Sequence, residues 1–139
     1  MSEFLLDSSV IHGLYNKEDK HHSICKKFLK DHKDDRFFIP SHSRFEIQHS
    51  ISKRKKNKTF TRPEEDIQLN FKSIDIDSGF YQKCQEKNLF SMFDCLKGGD
   101  LIFACIAKLY GYTLVACDKH YNNYKAKINI IYLPEYSDL

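Results

Sequence analysis

Four acidic residues stand where a mixed helix–strand domain would gather side chains at one edge of its sheet. Asp7 follows the apolar run Phe4-Leu5-Leu6, and Asp118 follows the run Thr113-Leu114-Val115-Ala116. Asp100 opens the helical pattern Leu101-Ile102-Phe103-Ala104, and Glu46 lies one turn into the pattern after Phe37-Phe38-Ile39-Pro40. Carboxylates brought to one point repel each other and resist burial, so a fold that collects them normally does so to hold a cation. Each acid also has a structural reading. Asp7, Asp100 and Asp118 could cap helices or sit in a first turn. Glu46, flanked by Phe45 and Ile47 inside a helical pattern, is the one for which capping explains least.

The elements that must position these acids alternate. A short strand at 3–6 leads through Ser8-Ser9 into a helix carrying Val10, Ile11 and Leu14. A second helix is predicted from about Asp19 to His32, with Ile24, Cys25, Phe28 and Leu29 on one face. Phe37-Phe38-Ile39 forms the next strand. Ser41 or Ser43 can cap a third helix, whose buried stripe is expected to include Phe45, Ile47 and Ile51. Residues 56–62 read as a mobile loop, and Thr61-Arg62-Pro63-Glu64-Glu65 as the start of another helix. An edge strand within 71–77, a helix from Ser78 through Leu89, an apolar helix over 100–110 ended by Gly111, and strands at 113–116 and 128–132 complete the chain. Short strands alternating with helices imply a mostly parallel sheet covered on both faces, whose sites form at the carboxyl ends of its strands. Asp7 and Asp118 occupy two such ends.

Composition sets the frame. The 139 residues suit a single domain, and 41% hydrophobic with 29% charged residues suits a globular protein with a substantial core. No apolar run approaches the roughly 20 residues of a membrane span, and Met1-Ser2-Glu3-Phe4 lacks a secretory pattern, so the expected location is the cytoplasm. The five cysteines are odd in number with no C-x-x-C pair, which argues against a disulfide framework or zinc site. The seven histidines lack the H-x-x-x-H spacing of helical zinc ligands. Net charge is only +3, yet Lys53-Arg54-Lys55-Lys56-Asn57-Lys58 and Arg62 form one basic stretch. It reads as a solvated helix end and loop, or as a phosphate-binding patch if it lies beside the acids.

The chain resembles the PIN-domain ribonucleases, a family that includes the VapC-type toxins. The resemblance rests on Phe4-Leu5-Leu6-Asp7-Ser8-Ser9-Val10-Ile11, Ser43-Arg44-Phe45-Glu46-Ile47, Gly98-Gly99-Asp100-Leu101-Ile102 with Ala104 and Ala107, and Leu114-Val115-Ala116-Cys117-Asp118 with Tyr121. These stand in the family's order over essentially the whole chain. The family often carries Ser or Thr where this chain has Ala116.

The resemblance implies one PIN-like domain over 1–139, a three-layer αβα sandwich with a mostly parallel sheet. It implies an endoribonuclease that uses Mg²⁺ or Mn²⁺, held by Asp7, Glu46, Asp100 and Asp118, with Asp7 and Asp100 as direct ligands. Ser8 would support the site by hydrogen bonding. Lys53, Arg54, Lys55, Lys58 and Arg62 would bind RNA, with Lys97 and Lys119 beside the third and fourth acids. His120 and Tyr121 would stack on a base or pack as ordinary aromatics. A homodimer and an antitoxin partner are implied too, with residues around Ile11, Leu14, Tyr15 and Ile24 as dimer-face or core candidates.

Three rival readings remain. A receiver domain needs an acidic pair after the first strand, where Asp7 stands alone. A haloacid-dehalogenase-type phosphatase is suggested by Asp75-Ile76-Asp77, which lies on the wrong strand for that fold. A PIN-like fold could also serve as an RNA- or protein-binding module without turnover.

Overall fold

The computed structural model describes residues 1–59, 61–62 and 70–136. Five strands form one sheet in the order β3-β2-β1-β4-β5, all neighbours parallel: β1 (Glu3–Leu6), β2 (Arg36–Pro40), β3 (Lys72–Ile74), β4 (Thr113–Ala116) and β5 (Ile130–Tyr132). The register pairs Leu5 with Phe38 on one side and with Leu114 on the other. The chain first builds outward from β1 through β2 to β3, then crosses to β4 on the opposite side. The switch therefore falls between β1 and β4, the place where open parallel sheets form their crevice.

The period-2 alternation of strand side chains sorts the core into two layers. Phe4 and Leu6 face helices α1 (Ser8–Tyr15), α2 (His22–Asp31) and α3 (Ser43–Lys56), while Leu5 faces α4 (Ser78–Glu86), α5 (Leu89–Met92) and α6 (Gly98–Tyr110). Each helix presents an apolar stripe. In α2 it is Cys25, Phe28 and Leu29, and in α6 it broadens to Phe103 through Ala107, because that helix packs on the sheet and on α4 and α5 as well. Fully burying a Leu or Phe stabilises by about 1.5–3 kcal/mol, so these stripes dominate the favourable side of folding. Phe28 anchors the first layer, its ring edge-on to Phe4 at 5.1 Å and to Tyr136 at 5.2 Å.

The sandwich matches the architecture anticipated from alternation, and several details differ. The predicted helix through Leu89 is broken at Asn88, whose left-handed φ of 58° separates α4 from α5. Helix α6 starts at Gly98 and stops at Gly111, which caps it at φ 73°, a conformation any side chain would strain. Helix α3 runs on to Lys56, so Lys53 to Lys56 form its last turn, where cations complement the helix dipole. Neither Ser41 nor Ser43 caps it; the N-cap is His42, and the Ser43 hydroxyl is buried with no partner among the described residues. The stretch expected to be loose is held at two points, Lys17 N–H donating to Thr59 O at 3.3 Å and Thr61 N–H to Tyr15 O at 3.1 Å. Positions 63–65 of the helix expected there lie outside the described residues.

Ile11, Leu14 and Tyr15 are core and offer no dimer face, while Ile24 is partly buried and packs against that core. Phe45 is the reverse case. Placed in the buried stripe by its sequence neighbours, it is 80% exposed. Asp77 caps α4, accepting from Phe80 N–H at 2.8 Å, which gives the Asp75-Ile76-Asp77 motif a structural role. No helix among the described residues is long and apolar enough to cross a membrane.

Candidate active site at the carboxyl edge of the sheet

Asp7 leaves β1 and caps α1. Its Oδ2 accepts from Ser9 N–H at 3.2 Å and from the Ser9 hydroxyl at 2.7 Å. Ser9 Oγ in turn accepts from Cys117 N–H at 3.0 Å, while Asp7 N–H donates to Val115 O at 3.0 Å. These bonds tie the end of β1 to the end of β4, and so place Asp7 next to the segment that carries Asp118.

Two side chains join the acids. The Tyr121 hydroxyl, fully buried, donates to Asp7 Oδ1 at 2.7 Å and lies 3.1 Å from Asp100 Oδ1, so one proton is shared between two carboxylates. His120 Nδ1 lies 2.8 Å from Asp100 Oδ2 and 3.4 Å from Asp118 Oδ1, and His120 N–H donates to the same Asp118 oxygen at 3.1 Å. Asp7, Asp100 and Asp118 are thereby strung together by two intervening groups. Glu46 joins from α3 through Ser8, whose hydroxyl donates to Glu46 Oε2 at 2.7 Å. Asp7, Asp100 and Asp118 thus share one network, and Glu46 reaches it only through Ser8, the chain neighbour of Asp7.

The roles differ in detail from those expected. Glu46 lies in the first turn of α3, where the helix dipole favours a carboxylate, so it has a structural explanation after all. Tyr121 cannot stack on a base from its buried position; it is a clasp between carboxylates. Lys119 sits with its Nζ 5.8 Å from the centre of the Tyr132 ring. Ala116 is buried in the layer of α4 to α6, so its methyl group faces core and not the crevice. Sequence reasoning gave Ser9 no part in the site. Its neighbour in the motif drew attention to Ser8, and nothing local marks which of two adjacent serines reaches back across to β4.

Burial pushes the Asp7 carboxyl above its ordinary range, the Ser9 and Tyr121 hydrogen bonds pull it back, and repulsion from Asp118 adds a smaller upward push. Desolvation is therefore the main cause, ahead of the mutual repulsion anticipated from four clustered acids. The Tyr121 phenol is also driven upward, first by burial and then by the charge of Asp7. It stays protonated and acts as a donor.

The donor set consists of carboxylate oxygens, which suits a hard divalent cation, and a buried carboxyl held up by desolvation gains from any positive charge beside it. As the side chains stand, however, no three His, Cys, Asp or Glu among the described residues are arranged to hold a metal ion. The Tyr121 hydroxyl and the His120 imidazole occupy the spaces between the acids.

A groove of about 410 Å³ opens beside Glu46, between α1 and α3. Lys53 and Arg54 line it with Glu46, whereas Lys55, Lys58 and Arg62 do not. The basic stretch is therefore split, two of its residues lining the groove and three not. A second cavity, about 190 Å³, is lined by Lys108, Lys125 and Lys127 near the start of β4, away from the acids.

The PIN domain family model matches residues 4–127. The chain belongs to the PIN domain family. Solved structures share its architecture at low identity. The PIN domain resembles a chain of VapBC2 from Rickettsia felis, bound to a DNA fragment from its promoter, at TM-score 0.59 and 18% identity, covering 94% of this chain and 98% of that one. Mycobacterium tuberculosis VapC20, described as a sarcin-ricin loop cleaving toxin, gives TM-score 0.62 and 13% identity over 86% of this chain and 93% of that one. A chain of FitAB bound to the IR36 DNA fragment gives TM-score 0.70 and 16% identity over 97% and 98%. No curated protein matches the sequence.

Proposed function

We propose that this PIN domain is a metal-dependent endoribonuclease, the toxin of a toxin–antitoxin pair working in the cytoplasm, and that it forms a homodimer. The observation that carries the reading is the clasp: Tyr121 and His120 bind three carboxylates from β1, α6 and the β4 end into one network at the sheet's crevice. A purely structural set of caps has no need to bring acids from three elements together. Proteins of similar fold support the rest: VapC20 is a sarcin-ricin loop cleaving toxin, and VapBC2 and FitAB were each solved bound to DNA.

Asp7 and Asp100 would hold Mg²⁺ or Mn²⁺, which supplies a bound water of lowered pKa and charge neutralisation at the phosphoryl oxygens. Ser9 and Tyr121 fix the Asp7 carboxylate from opposite sides. Asp118, held by His120, and Glu46, held by Ser8, orient water around the scissile phosphate. Lys53 and Arg54 offset the repulsion an RNA backbone meets at an acidic edge.

The test is cleavage of a structured RNA with and without Mn²⁺ or Mg²⁺, run beside Asp7→Asn and Asp100→Asn. Metal-dependent cleavage lost in both variants supports the reading; undiminished cleavage by both removes it. One observation favours a second reading, an RNA- or protein-binding module without turnover: the acids are already satisfied by Tyr121 and His120. Absence of cleavage by the wild type under either metal, with binding retained, would select that reading.

A further inference from the structure

Phe45 stands beside Glu46 on α3 with most of its ring in solvent. The other exposed aromatic residues are paired, Tyr81 with Phe90 and Tyr110 with Tyr112, each at 5.6 Å between ring centres. Phe45 has no aromatic neighbour among the described residues. It lines the groove together with His12, His49, Lys53 and Arg54. Phe45, His49 and Lys53 recur every four residues, so they share one stripe of α3 that runs for about 12 Å from the acidic edge toward the helix's basic end. Arg54 also keeps its Nε buried without an acceptor among the described residues.

We infer that this groove is a nucleotide subsite in which Phe45 stacks on an unpaired RNA base while Lys53 and Arg54 hold the adjoining phosphates. The assignment rests on the RNA-cleaving reading for the identity of the polymer. It goes beyond that reading in naming the residue that selects unpaired over paired substrate. The chemistry is specific to single strands. A base in a duplex has both faces covered by its neighbours, whereas an unpaired base offers a free π-face to an aromatic ring. An exposed phenyl ring beside cationic side chains supplies the two elements of such recognition, a stacking platform and an electrostatic track. Here the ring's companions are His12, Glu46, His49 and Ser50, with Lys53 and Arg54 at the basic end of α3, so the two cations complement phosphate there and Glu46 stands at the opposite, acidic end.

The experiment measures binding apart from cleavage. A fluorescein-labelled hairpin oligoribonucleotide with an unpaired loop is titrated at low salt in EDTA, beside the same stem closed into a full duplex. Phe45→Ala should weaken loop binding roughly 5- to 100-fold and leave duplex binding almost unchanged. Phe45→Trp should preserve loop binding. The chain has no other tryptophan, so its emission should be quenched by the loop RNA. Because Phe45 is exposed, neither change endangers the fold.

Equal loop binding by wild type and Phe45→Ala, or a tryptophan signal unmoved by bound RNA, overturns the subsite. So does a Phe45→Ala variant that keeps RNA affinity but changes oligomeric mass, which would make the groove a face between copies. A wild type that cleaves nothing with Mn²⁺ yet binds loops through Phe45 would refute the nuclease reading and leave the subsite standing.

Discussion

Tyr121 donates its hydroxyl to Asp7 across 114 positions of sequence, at 2.7 Å, and the same oxygen reaches Asp100 at 3.1 Å. The bond closes the crevice between β1 and β4 from inside the protein. It also explains how a buried carboxyl survives where little solvent reaches it, since a hydrogen bond to an ionised group offsets part of the desolvation cost.

Replacing Tyr121 by Phe removes that donor and keeps the ring. Such a hydrogen bond contributes roughly 1.5–3 kcal/mol, so Tyr121→Phe should lose about that much stability at neutral pH in urea unfolding. The loss should shrink in acid, where the Asp7 carboxyl is neutral and needs the donor less. Equal losses at both pH values would mean that the phenol acts through packing alone.

The raised pKa of Asp7 has a sign that can be tested. The folded protein binds the Asp7 proton more tightly than the unfolded chain does. This group's contribution to stability is therefore fully present below its ordinary value near 3.8 and is lost as pH rises through the raised folded value. Asp35 runs the other way. The His32 hydrogen bond holds it low, so its contribution is present above that ordinary value and fades as pH falls. Thermal melts of wild type and Asp7→Asn in EDTA separate the two. The difference between them should grow in favour of Asp7→Asn from acid toward neutral pH, and adding Mn²⁺ should raise the wild-type Tm more than the variant's.

Much of this edge was legible in the sequence because strand and helix periods are local. Apolar runs of three or four residues marked β1, β2 and β4, and the acids that follow them could be placed at strand ends without knowing the sheet order. The partners of those acids could not. Tyr121 and His120 follow Asp118 directly, and whether they turn inward or outward is decided by the 3-10 turn at Asn122–Tyr124 and by contact with α6, both tertiary facts. The misplacement of Phe45 had a visible signal. Residues two apart on a helix point to nearly opposite sides, so Phe45 and Ile47 cannot share a buried face, and the burial of Ile47 and Ile51 turns Phe45 outward.

Gly13 supplies a packing test within the first layer. A Cβ at this position would meet Cys25 Sγ at 2.8 Å, closer than real contacts allow. Alanine normally stabilises a helix interior by roughly 0.5–1 kcal/mol relative to glycine, but here overpacking costs about 1–3 kcal/mol and wins. Gly13→Ala should therefore lower stability in urea unfolding. Combined with Cys25→Ala it should not, and should exceed the single Cys25→Ala variant, because the obstructing sulfur is gone. A destabilised double variant would place the strain somewhere other than the Gly13–Cys25 contact.

The thiols divide by the same two layers. Cys25 and Cys117 lie buried with their sulfurs 3.5 Å apart, and Cys84 and Cys105 are buried in the other layer; Cys95 alone is exposed. The Cys25–Cys117 hydrogen bond and burial push the Cys25 thiol up, burial pushes up Cys84, and burial with the neighbouring Cys84 carries Cys105 up to about 12. The thiolate is the reactive form, so these sulfurs are protected by protonation as well as by access. An aromatic disulfide reagent at pH 8 should modify one of the five thiols rapidly in the native protein, and all five in denaturant. Cys95→Ser should abolish the fast phase. Rapid modification of a second thiol would mean that a layer opens on the timescale of the assay, and the packing of Cys25 against Gly13 would then be the first place to look.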